Sequence, residues 1–289
     1  MSDQHAEASQ LHRTALIYDF DGTLAPDSMQ DHSFIPNHLH TDVSAFWAAV
    51  DQRKLDHDAD AILMFLQVML ERARAQGVPL TAALLEQHGR DTPLFDGVYT
   101  WFDRINRYAR ERGLALEHYV VSSGNEEMIR GSSIHRHFEH VFASRYAYDD
   151  KGEAVWPAVA VNYTTKVQYL FRINKGVLNN WDNEAVNRWV PMHERPLPFS
   201  RMIYLGDGDT DIPSMKMVRQ QGGHSIAVFD PAHWHEDHTQ TKVYNLISED
   251  RAHFVAPADY RAGSQLDVVV RGVLGRIARA EGWREQAQG

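Results

Sequence analysis

The sequence predicts an α/β fold, a doubly wound and mostly parallel sheet with an inserted, mainly helical cap. Two observations carry this. Short apolar runs of strand type alternate with amphipathic helical stretches along most of the chain, the pattern of βαβ units whose parallel strands need helical crossovers. Between residues 28 and 92 the strand pattern vanishes and only helical periodicity remains. The expected organisation is a disordered lead-in over 1–13, a core formed by 14–27 and 93–289, and the helical cap at 28–92.

The first strand is Ala15 to Tyr18, broken by Asp19, Phe20, Asp21, Gly22 and Thr23. Side chains alternate faces along a strand, so Asp19 and Asp21 share a face at its carboxyl end, where open α/β sheets bind ligands. Two carboxylates held together repel, and a hard divalent cation such as Mg2+, which takes oxygen ligands, relieves that repulsion. A helix is then expected to open at Asp58 and Asp60, with Ile62, Phe65, Leu66 and Met69 at helical spacing, and a second near Thr81. Asp56, Asp58 and Asp60 read as charge favouring a helix N-terminus. His32, His38 and His40 read as surface residues.

A helix follows from Gly97 to Arg112. The next strand, Tyr119 to Val121, ends in Ser122, Ser123 and Gly124 before a helix over 125–130. Hydroxyls and backbone N–H groups at such a strand-to-helix junction suit an anion. Strands over 140–148 and 154–159 flank a DDKG turn at 149–152, and a helix runs from Thr164 to Gly176. Residues 179–200, polar and rich in Trp and Pro, read as an excursion from the core. Strands at 202–205, 225–229 and 254–256 and a last helix, Leu266 to Ala280, complete the alternation.

The 202–205 strand ends in GDGDTD at 206–211. A calcium loop starting at Asp207 would need Gly at 212 and Glu at 218, but Ile212 and Val218 stand there. Asp209 reads as a solvent-facing turn residue. His233, His235 and His238 read as a solvated loop in preference to a zinc site, and Trp47, Trp101, Trp156, Trp181 and Trp189 as packing residues.

Composition narrows the classes. A net charge of −10 argues against a broad grip on nucleic acid or an anionic membrane, and the absence of Cys excludes thiolate chemistry and disulfides. The N-terminal stretch lacks a signal-peptide core, so a cytoplasmic location is expected.

With DFDGT, Ser122, Lys166 and GDGDTD in this order, the chain resembles the haloacid dehalogenase-like (HAD) superfamily, phosphatase branch, whose cap lies between the first and second motifs. The resemblance implies catalysis by Asp19, attacking phosphorus, and Asp21, acting as acid and base. It implies phosphate binding by Ser122, Ser123, Gly124 and Lys166, and a Mg2+ site formed by Asp19, Asp21, Asp207 and Asp211. Lys175 competes with Lys166 for the lysine role, although a lysine at a helix C-terminus has an explanation in the helix dipole. The expected activity is Mg2+-dependent hydrolysis of a small phosphorylated metabolite through an aspartyl-phosphate. A phosphomutase or phosphotransferase and a non-catalytic phospho-ligand or metal-binding module are the alternatives. No nucleic acid or membrane partner is expected, and the sequence sets no oligomeric state.

Overall fold

The protein is described here from a computed structural model covering residues 11–208 and 210–282. Strand β1 spans His12–Tyr18. Helices α1 (Met29–His32), α2 (Phe34–His38), α3 (Val43–His57), α4 (Ala61–Ala75) and α5 (Ala82–Arg90) follow without an intervening strand. The chain continues through α6 (Val98–Arg110), β2 (Leu114–Asn125), α7 (Glu126–Gly131), β3 (His140–Tyr148), β4 (Ala154–Val159), α8 (Lys166–Lys175) and α9 (Asn183–Asn187). It ends with β5 (Met202–Gly206), α10 (Ile212–Gln220), β6 (His224–Phe229), α11 (Asp237–Ser248), β7 (Phe254–Pro257) and α12 (Gln265–Ala280).

The seven strands form one sheet in the order β4-β3-β2-β1-β5-β6-β7. Every pairing is parallel except the β3–β4 hairpin. β1 is central: the chain leaves it to build β2 on one side and later β5 on the other. Such a switch point opens a crevice at the carboxyl ends of the strands. Helices cover both faces. Leu16 and Tyr18 join a core that includes α6, α12 and the α1–α5 segment, whereas Ala15 and Ile17 join a second core with α8 and α10. The doubly wound, mostly parallel α/β architecture thus follows the alternation in the sequence, and each strand of β1 type is apolar on both faces because both are buried.

Several local expectations differ from the structure. β1 begins at His12, so His12 and Arg13 belong to the sheet and not to a lead-in; residues 1–10 lie outside the described residues. β2 runs through Ser122–Gly124 to Asn125, with its register against β3 shifting between Val121 and Asn125. These residues therefore form an irregular strand end in place of a plain turn. Asp60 caps α4, accepting from the Ile62 and Leu63 backbone N–H groups, but Asp56 sits in the last turn of α3 and Asp58 is its left-handed C-cap. α3 has no helix signal strong enough to stand out in the sequence, because its apolar face is small, with Phe46 and Val50 its buried residues. Trp101 is fully buried, yet Trp156, Trp181 and Trp189 are exposed and do not pack.

The α1–α5 segment is joined to the core at close range. A Cβ on Gly89 would lie 1.8 Å from the Met128 carbonyl oxygen, and one on Gly131 1.9 Å from that of Glu86, so α5 and α7 pack backbone to backbone. Tyr146 Oη donates to the Leu66 carbonyl at 2.7 Å, and Asn162 Nδ2 to Asp60 Oδ2 at 2.6 Å. Among the described residues no helix is long and apolar enough to cross a membrane.

Candidate active site

Strand parity places the first acid. Asp19 continues the Ala15–Ile17 face, toward α8, and its backbone N–H donates to the Leu205 carbonyl at 2.9 Å, extending the β1–β5 pairing. Lys166, the first residue of α8, meets it there. Its Nζ donates to Asp19 Oδ2 at 2.6 Å, Asp211 Oδ1 at 2.7 Å and Thr210 Oγ1 at 3.2 Å, and the side chain is fully buried. Asp211 Oδ1 also accepts from Tyr204 Oη at 2.6 Å. Lys175 lies at the other end of α8, where its Nζ donates to the carbonyls of Val186 and Arg188, each at 2.6 Å. It holds the 177–200 excursion and does not enter the site.

The loop after β5 carries Asp207, whose Oδ2 accepts from Lys242 Nζ at 2.9 Å. Lys242 belongs to α11, which begins at Asp237 within the histidine stretch read as loop. The signal for that helix was present as the spacing of its buried Thr239, Val243 and Leu246, but the neighbouring histidines masked it. Asp209, expected as a turn residue, lies outside the described residues. His233 and His238 instead pair with Glu236, at 2.7 and 3.3 Å, on an exposed surface.

Ligand atoms from Asp19, Asp207 and Asp211 all lie within 4.8 Å of one another. Asp21 is not one of these three; its Oδ1 accepts from the Met29 backbone N–H at 3.2 Å. Its other oxygen lies along Gly124, where an added Cβ would stand 2.8 Å away and 3.3 Å from Ser122 Oγ. Ser122 Oγ accepts from the Gly124 backbone N–H at 3.1 Å. Two glycines make room for the acids. Gly22, at φ +72°, runs so close to Asp207 that a Cβ would lie 2.9 Å from its Cγ, and a Cβ on Gly206 would lie 2.2 Å from Asp211 Oδ2.

Electrostatics follow from this crowding. Burial, then the charges of Asp211 and Asp207, push the Asp19 carboxyl above its ordinary range against the pull of Lys166. Burial and the Asp19 charge raise Asp21 well above it. Burial and Asp211 raise Asp207, opposed by Lys242. Burial draws Lys166 down, but Asp19 and Asp211 outweigh it, so the ammonium is held charged.

The donor set suits a hard divalent cation. It is all oxygen and carries more negative charge than Lys166 and Lys242 offset, and Asp211 Oδ2 is buried with no hydrogen-bond partner. The acids open into a cavity of about 410 Å³ lined by Asp19, Asp21, Ser122, Ser123, Gly124, Asp207 and Thr210 on the sheet side. Trp47, Ile62 and Phe65 from α3 and α4, and Gln30 and Asp31 from α1, line it as well.

Known proteins resemble this chain in sequence and in fold. A protein of Borreliella burgdorferi described as uncharacterized is 27% identical over 277 residues, covering 87% of this chain and 93% of its own. A HAD family hydrolase from Salmonella enterica serovar Typhi shares the fold with a TM-score of 0.55 at 14% identity, over 90% of this chain and 71% of that one. A substrate-bound phosphoserine phosphatase superposes with a TM-score of 0.52 at 15% identity, over 90% of this chain and 98% of that one. The sequence model of the haloacid dehalogenase-like hydrolases matches residues 16–216, a stretch reaching from β1 into α10 and containing every acid of the cavity floor, and the chain belongs to that family.

Proposed function

We propose that the protein is a phosphomonoester hydrolase that works through an aspartyl-phosphate on Asp19 with Mg2+ as cofactor. The observation that carries this reading is the buried Lys166 ammonium bridging Asp19 Oδ2 and Asp211 Oδ1 at 2.6 and 2.7 Å, beneath a cavity that also holds Asp21 and Ser122. A lysine so held fixes one Asp19 oxygen and offsets charge where a phosphoryl group would arrive.

Asp19, Asp207 and Asp211 are the residues that would hold the cation, which when bound supplies positive charge that offsets repulsion between Asp19 and a phosphoryl dianion. Asp19 attacks phosphorus, forming a carboxylate oxygen–phosphorus bond as the ester P–O bond breaks. Asp21, whose raised proton affinity suits an acid, gives its proton to the departing alkoxide. Its carboxylate then takes a proton from the water that attacks the intermediate, releasing phosphate and restoring Asp19. Ser122 Oγ and the N–H groups of the 122–124 strand end bind phosphoryl oxygens. The α1–α5 segment acts as the cap over the leaving group, and the site operates in the cytoplasm.

The test is phosphate release from a panel of phosphomonoesters with and without Mg2+, with Asp19→Asn as the blank. Mg2+-dependent turnover that vanishes in the blank is expected. Undiminished turnover by Asp19→Asn would refute the proposed nucleophile.

A further inference from the structure

Besides the reacting groups, the cavity is lined by residues of α1, α3 and α4 that carry a distinct chemistry. Asp21, the proposed acid, is bound at Oδ1 by the backbone N–H of Met29, the first residue of α1. The next two residues, Gln30 and Asp31, line the same cavity, and the charge of Asp31 is felt at Asp21. A leaving group protonated by Asp21 therefore departs within a cavity that this pair also lines.

Gln30 is 3% exposed and its Oε1 has no hydrogen-bond partner. A buried acceptor of that kind costs free energy unless a donor reaches it. Asp31 is a half-buried carboxylate oriented by Trp47, whose Nε1 donates to both of its oxygens at 3.0 and 3.2 Å. Trp47 is itself held in place by a stacked Phe65, with ring centroids 5.4 Å apart. Carboxylate and amide oxygen together attract a cation that bears N–H donors, through charge and hydrogen bonding. Asp27 and Ser28 add acceptor oxygens, and among the described residues no Lys or Arg lines the cavity.

We infer that the substrate is the phosphate monoester of a small amino alcohol, cationic at its leaving-group end and carrying no carboxylate. Phosphoethanolamine is the simplest ester of this class. Its phosphate lies toward Asp19 and Ser122, and its ammonium lies against Asp31, Gln30 and Trp47. A second anionic group on the leaving alcohol, as in phosphoserine, would face Asp27 and Asp31 without a compensating cation. This inference rests on the phosphatase reading above and goes beyond it in naming the leaving group.

The experiment compares kcat/KM for phosphoethanolamine, phosphocholine, phosphoserine, glycerol 3-phosphate and p-nitrophenyl phosphate in the full chain with Mg2+. The wild type is expected to prefer phosphoethanolamine over phosphoserine and glycerol 3-phosphate by about tenfold or more, the scale of one partly buried charge pair. Asp31→Asn, which keeps an acceptor for Trp47, reduces that preference about tenfold. Asp31→Lys turns it toward phosphoserine, a change that impaired folding cannot produce. A wild-type preference for phosphoserine or glycerol 3-phosphate, or a preference untouched by Asp31→Asn, overturns the inference while p-nitrophenyl phosphate turnover leaves the phosphatase standing. Absence of turnover on every ester, p-nitrophenyl phosphate included, overturns the phosphatase reading and this inference with it.

Discussion

Replacing Lys166 by Met removes the one ammonium that touches both Asp19 and Asp211 while roughly keeping the side-chain volume. In a metal-free protein the two carboxylates, with contacts of 2.6 and 2.7 Å to Nζ, lose their shared counter-charge in a fully buried setting. Breaking a buried pair by deleting one partner costs about 3–5 kcal/mol, because a charge is left uncompensated. For a chain of this size that corresponds to a fall of roughly 10 °C in apparent Tm. The cost depends on pH. The folded-state proton affinity of Asp19 is already raised by burial, Asp211 and Asp207, and loss of Lys166 raises it further. A carboxyl with a raised folded-state pKa favours folding where it is protonated, and that contribution is lost as pH rises through its folded pKa. The Lys166→Met deficit is therefore largest at pH 8 and shrinks toward pH 5. Thermal unfolding of wild type and variant in chelator at both pH values measures it. A deficit below about 1 kcal/mol at pH 8, the range of exposed ion pairs, or one that grows on acidification, would refute the buried-bridge argument.

Other outcomes follow from the same geometry. Asp19→Asn removes a charge from a crowded acidic group, so phosphate release is abolished while the apparent Tm in chelator is unchanged or higher, as a melting scan beside the activity assay shows. Asp21→Asn deprives the departing alkoxide of its proton, so kcat falls about 10²-fold or more for alkyl esters and much less for p-nitrophenyl phosphate, whose leaving group needs no acid; equal losses on both would contradict the assignment. Mg2+ competes with protons for Asp19, Asp207 and Asp211, so the rise in Tm on adding it grows from pH 5 to pH 8, and a rise independent of pH would place the ion elsewhere. Gly206→Ala drives a methyl to within 2.2 Å of Asp211 Oδ2. It is expected to destabilise the fold by about 1–3 kcal/mol, the usual cost of overpacking, and to lower activity by displacing Asp211, as urea unfolding and phosphate release together report.

Much of this was legible in the sequence because the relevant signals are local. An apolar run broken by Asp19, Ser122 or Gly206 announces a strand end, and strand ends of a parallel sheet converge on one edge whatever else the chain does. The doubly wound class and the shared face of Asp19 and Asp21 needed only period, order and turn chemistry, whereas Asp207 and Asp211 were singled out by the family resemblance. The helical character of 28–92 needed only the absence of strand pattern.

What remained closed to the sequence depends on distance between remote parts of the chain. Lys166 and Lys175 stand at opposite ends of one helix, and only the packing of α8 against the Ala15–Ile17 face decides which ammonium meets Asp19. Asp21 shares strand parity with Asp19, yet its Oδ1 accepts from the Met29 N–H, a contact that no local pattern announces. Lys242 reaches Asp207 across 35 residues, from a helix with a faint pattern. The facing of Gln30, Asp31 and Trp47 onto the same cavity as Asp19 exists because α1, α3 and α4 fold back over the sheet edge. Periodicity along a chain reports which face of an element is buried; it carries no information about which other element buries it, and that pairing is where the site acquires its charge balance and the cavity its shape.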